Sequence, residues 1–123
     1  MTMTAVRKPF AHSRGWGTIF ARGNATPPVE YVGRFNVGGD EEPTTARRKT
    51  DGDKNDVIEL ALSAYAGTIH PNGAKRSSTS PDWIGYLWSK APSATGNPVE
   101  LDIVAWERVT KRGKPMLRLG FRP

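Results

Sequence analysis

The chain contains no cysteine, so it has no disulfide framework and no thiolate to serve as nucleophile or metal ligand. That fits a reducing cytosol, which is where we place it. Histidine is almost as scarce: His12 and His70 are the only two, and they lack ligand spacing. Neither a metal site nor a cofactor is expected. The same scarcity leaves no Ser/His/acid constellation that can be assigned. No glycine loop of the Walker or dinucleotide kind is present, because Gly38-Gly39 follows an expected strand without a helix behind it. The pair Glu41-Glu42 lies in a polar stretch and reads as solvated. Enzymatic activity is therefore not expected. No apolar run approaches the ~18 residues that a membrane span requires. The opening Met1–Lys8 carries Arg7 and Lys8 but no apolar stretch after them, so it does not read as a secretory signal.

Glycine (13) and proline (10) are abundant among the 123 residues, which suits short strands joined by many turns. The length suits one domain with a modest core. The net charge is +6 and unevenly spread. Residues 107–123 hold six bases and one acid, whereas residues 57–106 hold three bases and four acids. A basic C-terminal end suits a polyanionic partner.

Two stretches of the chain resemble each other. Gly17-Thr18-Ile19, Tyr31-Val32-Gly33 and Ile58–Tyr65 recur in order as Gly67-Thr68-Ile69, Trp83-Ile84-Gly85 and Val99–Trp106. This predicts a duplication, with halves of about 17–65 and 67–123 forming one compact sheet system. Two copies are too few for a solenoid. The segment after Asp56 could open a helix through a capping box with Glu59. Its apolar residues Ile58, Leu60, Leu62 and Ala64 also alternate, and its counterpart Val99–Trp106 alternates in the same way, so residues 57–66 are expected as a strand.

Strands are expected near Trp16–Ala21, Glu30–Val37, from Ile69, Trp83–Ser89, Val99–Val109 and Pro115–Arg122, the last two joined as a hairpin. Asp40–Asp56 reads as a long polar loop, as do Asn72–Ser80 and Lys90–Pro98. Residues 1–14 are expected as a flexible arm. Six or seven short strands with turns between them give an all-β fold. It is a small antiparallel barrel, OB-like or SH3-like, or a compact sandwich.

Alternation places Tyr31, Gly33 and Phe35 on one strand face and Trp83, Gly85 and Leu87 on the matching face of another, which defines the expected core. It turns Arg34, Tyr86 and Trp88 outward together. The same logic puts Trp106, Arg118 and Arg122 outward near Arg108 and the basic turn Lys111-Arg112-Gly113-Lys114. Single-stranded nucleic acid needs such a surface, with cations for phosphates and aromatic faces for bases. The competing reading packs Trp88 and Trp106 into a second core layer.

The C-terminal half holds Gly67-x-Ile69, Asn72, Lys75, Pro81-Asp82-Trp83-x-Gly85, Ala105-Trp106, Lys111-Arg112-Gly113-Lys114 and a closing Leu117-x-Leu119-x-Phe121-x-Pro123. In these it resembles small uncharacterised phage and plasmid proteins that share a Pro-Asp-aromatic-x-Gly element and an Ala-Trp/Lys-Gly-Lys hairpin. The chain departs from them in its extra N-terminal copy and in Asp40–Asp56. The resemblance implies origin in a mobile element and supplies no functional residues.

The leading expectation is a non-enzymatic nucleic-acid-binding module for single strands. Its surface comprises Arg34, Tyr86, Trp88, Trp106, Arg108, Lys111, Arg112, Lys114, Arg118 and Arg122. Two other readings stand beside it: a phage-encoded inhibitor bound to a host defence complex, and a structural phage component. No membrane partner is expected.

Overall fold

The computed structural model describes residues 12–22, 29–50, 56–90 and 100–122. They form eight strands: β1 (Trp16–Arg22), β2 (Val29–Asn36), β3 (Glu41–Thr50), β4 (Asp56–Ala61), β5 (Tyr65–Pro71), β6 (Trp83–Ser89), β7 (Glu100–Val109) and β8 (Pro115–Phe121). Each strand pairs antiparallel with its sequence neighbour, and β8 returns to β1 to close a barrel. The all-β antiparallel barrel expected from the sequence is thus what forms. Its path is an up-and-down meander of eight strands, not six or seven, and not the five-stranded Greek key of an OB barrel. Among the described residues there is no helix, and so none long and apolar enough to cross a membrane.

Alternation decides which side chains enter the barrel. Ile19, Tyr31, Phe35, Ile58, Leu60, Ile69, Trp83, Leu87, Ile103, Ala105, Leu117 and Leu119 are all buried in one interior cluster. An eight-stranded barrel is just wide enough for side chains to fill it. The charged residues Arg34, Arg47, Lys49, Glu59 and Arg118 take the alternate, outer positions. A barrel embedded in lipid has the reverse pattern, an apolar outer band.

The ladders repeat after four strands. Ile19 faces Gly33 as Ile69 faces Gly85, and Gly17 faces Phe35 as Gly67 faces Leu87. Tyr31 faces Ala46 as Trp83 faces Ala105, and Ala46 faces Leu60 as Ala105 faces Leu119. The circle closes where Leu60 meets Gly67 and Leu119 meets Gly17. A half-turn about the barrel axis therefore carries β1–β4 onto β5–β8. Gly33 and Gly85 mark the tightest points of the two halves. A Cβ on either would collide with the neighbouring strand, at the carbonyl of Thr18 for Gly33 and of Thr68 for Gly85.

Several expected elements are corrected. The loop Asp40–Asp56 is mostly strand β3, whose inward positions hold Thr44, Ala46 and Arg48. Polar inward residues hide its period from a hydrophobicity reading. The expected strand 57–66 is two strands: β4 ends at Ala61, and the chain turns where Leu62 N–H donates to the Tyr65 carbonyl at 2.9 Å. The third repeat match, Ile58–Tyr65 with Val99–Trp106, sets β4 against β7. The half-turn instead equates β3 with β7 and β4 with β8. Of the expected flexible arm, residues 1–11 lie outside the described residues, but His12 is fixed. Its backbone N–H and ring both bond Glu41, its Nε2 meets Thr18 Oγ1 at 2.8 Å, and the Asn36 amide donates to its carbonyl at 2.9 Å. Most of the expected loop Lys90–Pro98 also lies outside the described residues.

Candidate nucleic-acid interface

On the outer wall, β2, β1, β8 and β7 align Arg34, Thr18, Arg118 and Trp106 in one cross-strand row. The next row runs Asn36, Trp16, Gly120, Val104 and Ile84. Gly120 leaves a floor over which two indoles meet. A Cβ there would lie 3.2 Å from Trp16 and 3.3 Å from Trp106. The indoles stack with centroids 6.2 Å apart and planes 27° apart, and the Arg118 guanidinium carbon sits 4.7 Å from the Trp16 ring centroid. Trp16 keeps 39% of its surface exposed. The loop between β5 and β6 folds onto this wall, and Trp106 Nε1 donates to the Thr79 carbonyl at 2.9 Å.

The predicted residues divide into three groups. Trp106, Arg108 and Arg118 stand together on the outer face of the β7–β8 hairpin, whose turn carries Lys111, Arg112 and Lys114; Arg122 is at the other end of that hairpin. Arg34 joins this wall through the Thr18 row, not through Tyr86 and Trp88. The half-turn relates Arg34 to Tyr86, so they stand on opposite sides of the barrel. Tyr86 and Trp88 are exposed, at 48% and 41%, but their partners on β7 are Asp102 and Glu100. Carboxylates beside them repel phosphate, so these two aromatics do not belong to the basic surface.

Charge pairing separates the two walls. On the β2–β4 side Arg47 pairs with Glu30 at 3.3 Å, Arg48 with Asp56 at 3.0 Å, and Lys49 with Glu59. Among the described residues no carboxylate pairs with Lys111, Arg112, Lys114, Arg118 or Arg122. Arg108 lies 4.0 Å from Asp82. Burial of the Asp82 carboxylate acts to raise its pKa. The Lys75 ammonium, the Glu107 backbone N–H and the nearby Arg108 outweigh that and hold it below the ordinary value.

Two other polar clusters are self-contained. At one mouth of the barrel Arg48 reaches Asp56 and Glu107 and lies 4.9 Å from the Trp83 ring centroid, while Trp83 Nε1 donates to Glu107 at 3.0 Å. Arg48 and Glu107 are half-turn mates, as are Tyr31 and Trp83, so this cluster joins the two halves across the axis. Thr18, His12 and Glu41 have the connectivity of a hydroxyl–imidazole–carboxylate chain. Glu41 is committed to the His12 backbone N–H as well, and the Asn36 amide holds the His12 carbonyl. The group acts as a latch for the chain entering β1.

Trp16 and Arg76 were missed as site residues. Trp16 was accessible to the alternation rule, since Gly17, Ile19 and Ala21 fill the opposite face of its strand. Arg76 lies in the β5–β6 loop, where no period points to a partner. No family model, curated protein or solved structure matches this chain.

Proposed function

We propose that this chain is a non-enzymatic nucleic-acid-binding barrel that takes single strands on the outer wall of β7, β8 and β1. The observation that carries the reading is the contrast between the two walls. The interior keeps its half-turn symmetry, while one outer wall pairs Arg47 and Lys49 with carboxylates and the other, among the described residues, leaves five cations without carboxylate partners beside a pair of indoles. Unpaired cations on a flat wall gain by releasing counterions from a polyanion, and aromatic faces add base stacking of ~1–3 kcal/mol per base. The wall is open and broad, which suits an extended strand. Phosphates would meet Lys111, Arg112, Lys114, Arg118 and Arg122, with Arg34 and Arg108 at the flanks.

Fluorescence anisotropy with labelled single-stranded and double-stranded oligonucleotides at low and moderate salt tests this. The expected result is preference for the single strand. Affinity should fall with salt at a logarithmic slope of about −3.5 for five phosphates, from ~ −0.7 per phosphate. No binding at low salt overturns the reading and turns attention to a protein partner.

A further inference from the structure

Beside the indole pair lies a groove of about 580 Å³, walled by Trp16, Trp106, Ile84 and Val104 and edged by Arg76 and Arg122. A half-turn carries it onto a second groove of about 500 Å³ on the opposite wall. There Val32 replaces Ile84, Thr45 replaces Val104 and Arg47 replaces Trp106. That mate is polar, and its Arg47 is tied to Glu30. The fold thus makes the depression twice, and of the two copies it is this one that is walled by indoles, with Arg76 and Arg122 at its rim.

We propose that this groove holds one unpaired nucleotide of a bound strand, its base against the indole wall and its phosphate reached by Arg76 and Arg122. The inference rests on the nucleic-acid reading above. The volume lies within the ~300–1,000 Å³ typical of small-ligand sites. Flat aromatic walls favour a planar ring over an aliphatic chain. Among the described residues neither arginine has a carboxylate partner, so an anionic group suits the rim. Several polar atoms of the lining are already used: Trp106 Nε1 bonds Thr79, the Asn72 amide donates to the Pro81 carbonyl at 3.0 Å, and the Asn72 oxygen accepts from Ala74 N–H at 3.0 Å. A base held here is gripped chiefly by stacking, which every base face can supply, so binding tolerates any base. A duplex keeps its base faces covered and cannot offer one to the groove.

The test uses the whole chain with adenosine and uridine 5′-monophosphates, ribose 5-phosphate and a labelled oligothymidylate. Tryptophan emission should be quenched saturably and to a similar degree by both nucleotides, but not by ribose 5-phosphate. Ala74→Phe fills the groove without removing a wall, and should weaken both nucleotide and oligothymidylate binding about tenfold, the loss of one stacked base. The double variant Arg76→Gln/Arg122→Gln, which leaves the indole wall intact, should bind the monophosphates no better than the nucleosides. Equal competition by ribose 5-phosphate, or oligothymidylate binding by Ala74→Phe at the wild-type level, overturns the groove proposal and leaves the wider surface standing. Absence of oligothymidylate binding by the unaltered chain overturns both.

Discussion

Single residues carry much of the constraint on this barrel. Gly33 and Gly85 sit where neighbouring backbone fills the space of a side chain. Gly85→Ala or Gly33→Ala should lower stability by ~1–3 kcal/mol through overpacking. Gly38→Ala, with nothing near its Cβ, should stay within ~0.5 kcal/mol. Urea midpoints at constant m-value distinguish the two results. Glu41 makes a pH prediction. The His12 backbone N–H, opposed by partial burial and aided by the His12 ring and Arg34, holds its carboxyl below the ordinary range. A carboxylate depressed by folding contributes stability that is complete above its unfolded pKa, ~4.3, and lost as pH falls through the folded value. Glu41→Gln should therefore destabilise at neutral pH and flatten the acid limb below about pH 4.3. Thermal melts across that range would show an unchanged acid limb if the His12 latch contributes nothing.

Among the elements, the β7–β8 hairpin is where sequence and surface agree most closely. Its alternation put Ile103 and Ala105 inside and Trp106 outside, and its closing Lys111-Arg112-Gly113-Lys114 forms the turn, with Gly113 at a positive φ of 80°. Replacing Lys111, Arg112 and Lys114 by Gln should leave the melting temperature near its original value. It should reduce the salt slope of oligonucleotide binding by about 2, at ~0.7 per lost phosphate contact. An unchanged slope would place the strand elsewhere. Strand β3 shows the opposite case. Its inward Thr44 is fully buried, with its hydroxyl bonded to the Glu42 carbonyl at 3.0 Å, and its inward Arg48 closes the barrel mouth. Such residues look like a loop until the neighbours that satisfy them are known. The Tyr86–Trp88 pair failed for a related reason. Alternation gives the face of a strand, but not which other strand shares its side of a closed sheet.

At the scale of the whole molecule, the barrel is two four-stranded halves that each lack closure. Either half alone exposes two unpaired strand edges and an open apolar face. Chains covering residues 12–61 or 65–122 alone should show no folded monomer, either staying unfolded or pairing as dimers across the edges that the other half covers. Sedimentation with circular dichroism checks this, and a folded monomeric half would contradict the closed-core account. The amino-acid sequence alone determined the all-β class, the inward set Tyr31, Phe35, Trp83 and Leu87, and the basic closing hairpin. Those properties depend on alternation and turn chemistry, which act between near neighbours. The strand count, the half-turn equivalence of β3 with β7, and the union of Trp16, Trp106, Arg118 and Arg34 on one wall emerge only in three dimensions. These depend on ladder register and on β8 closing against β1, which bring together residues far apart in the chain.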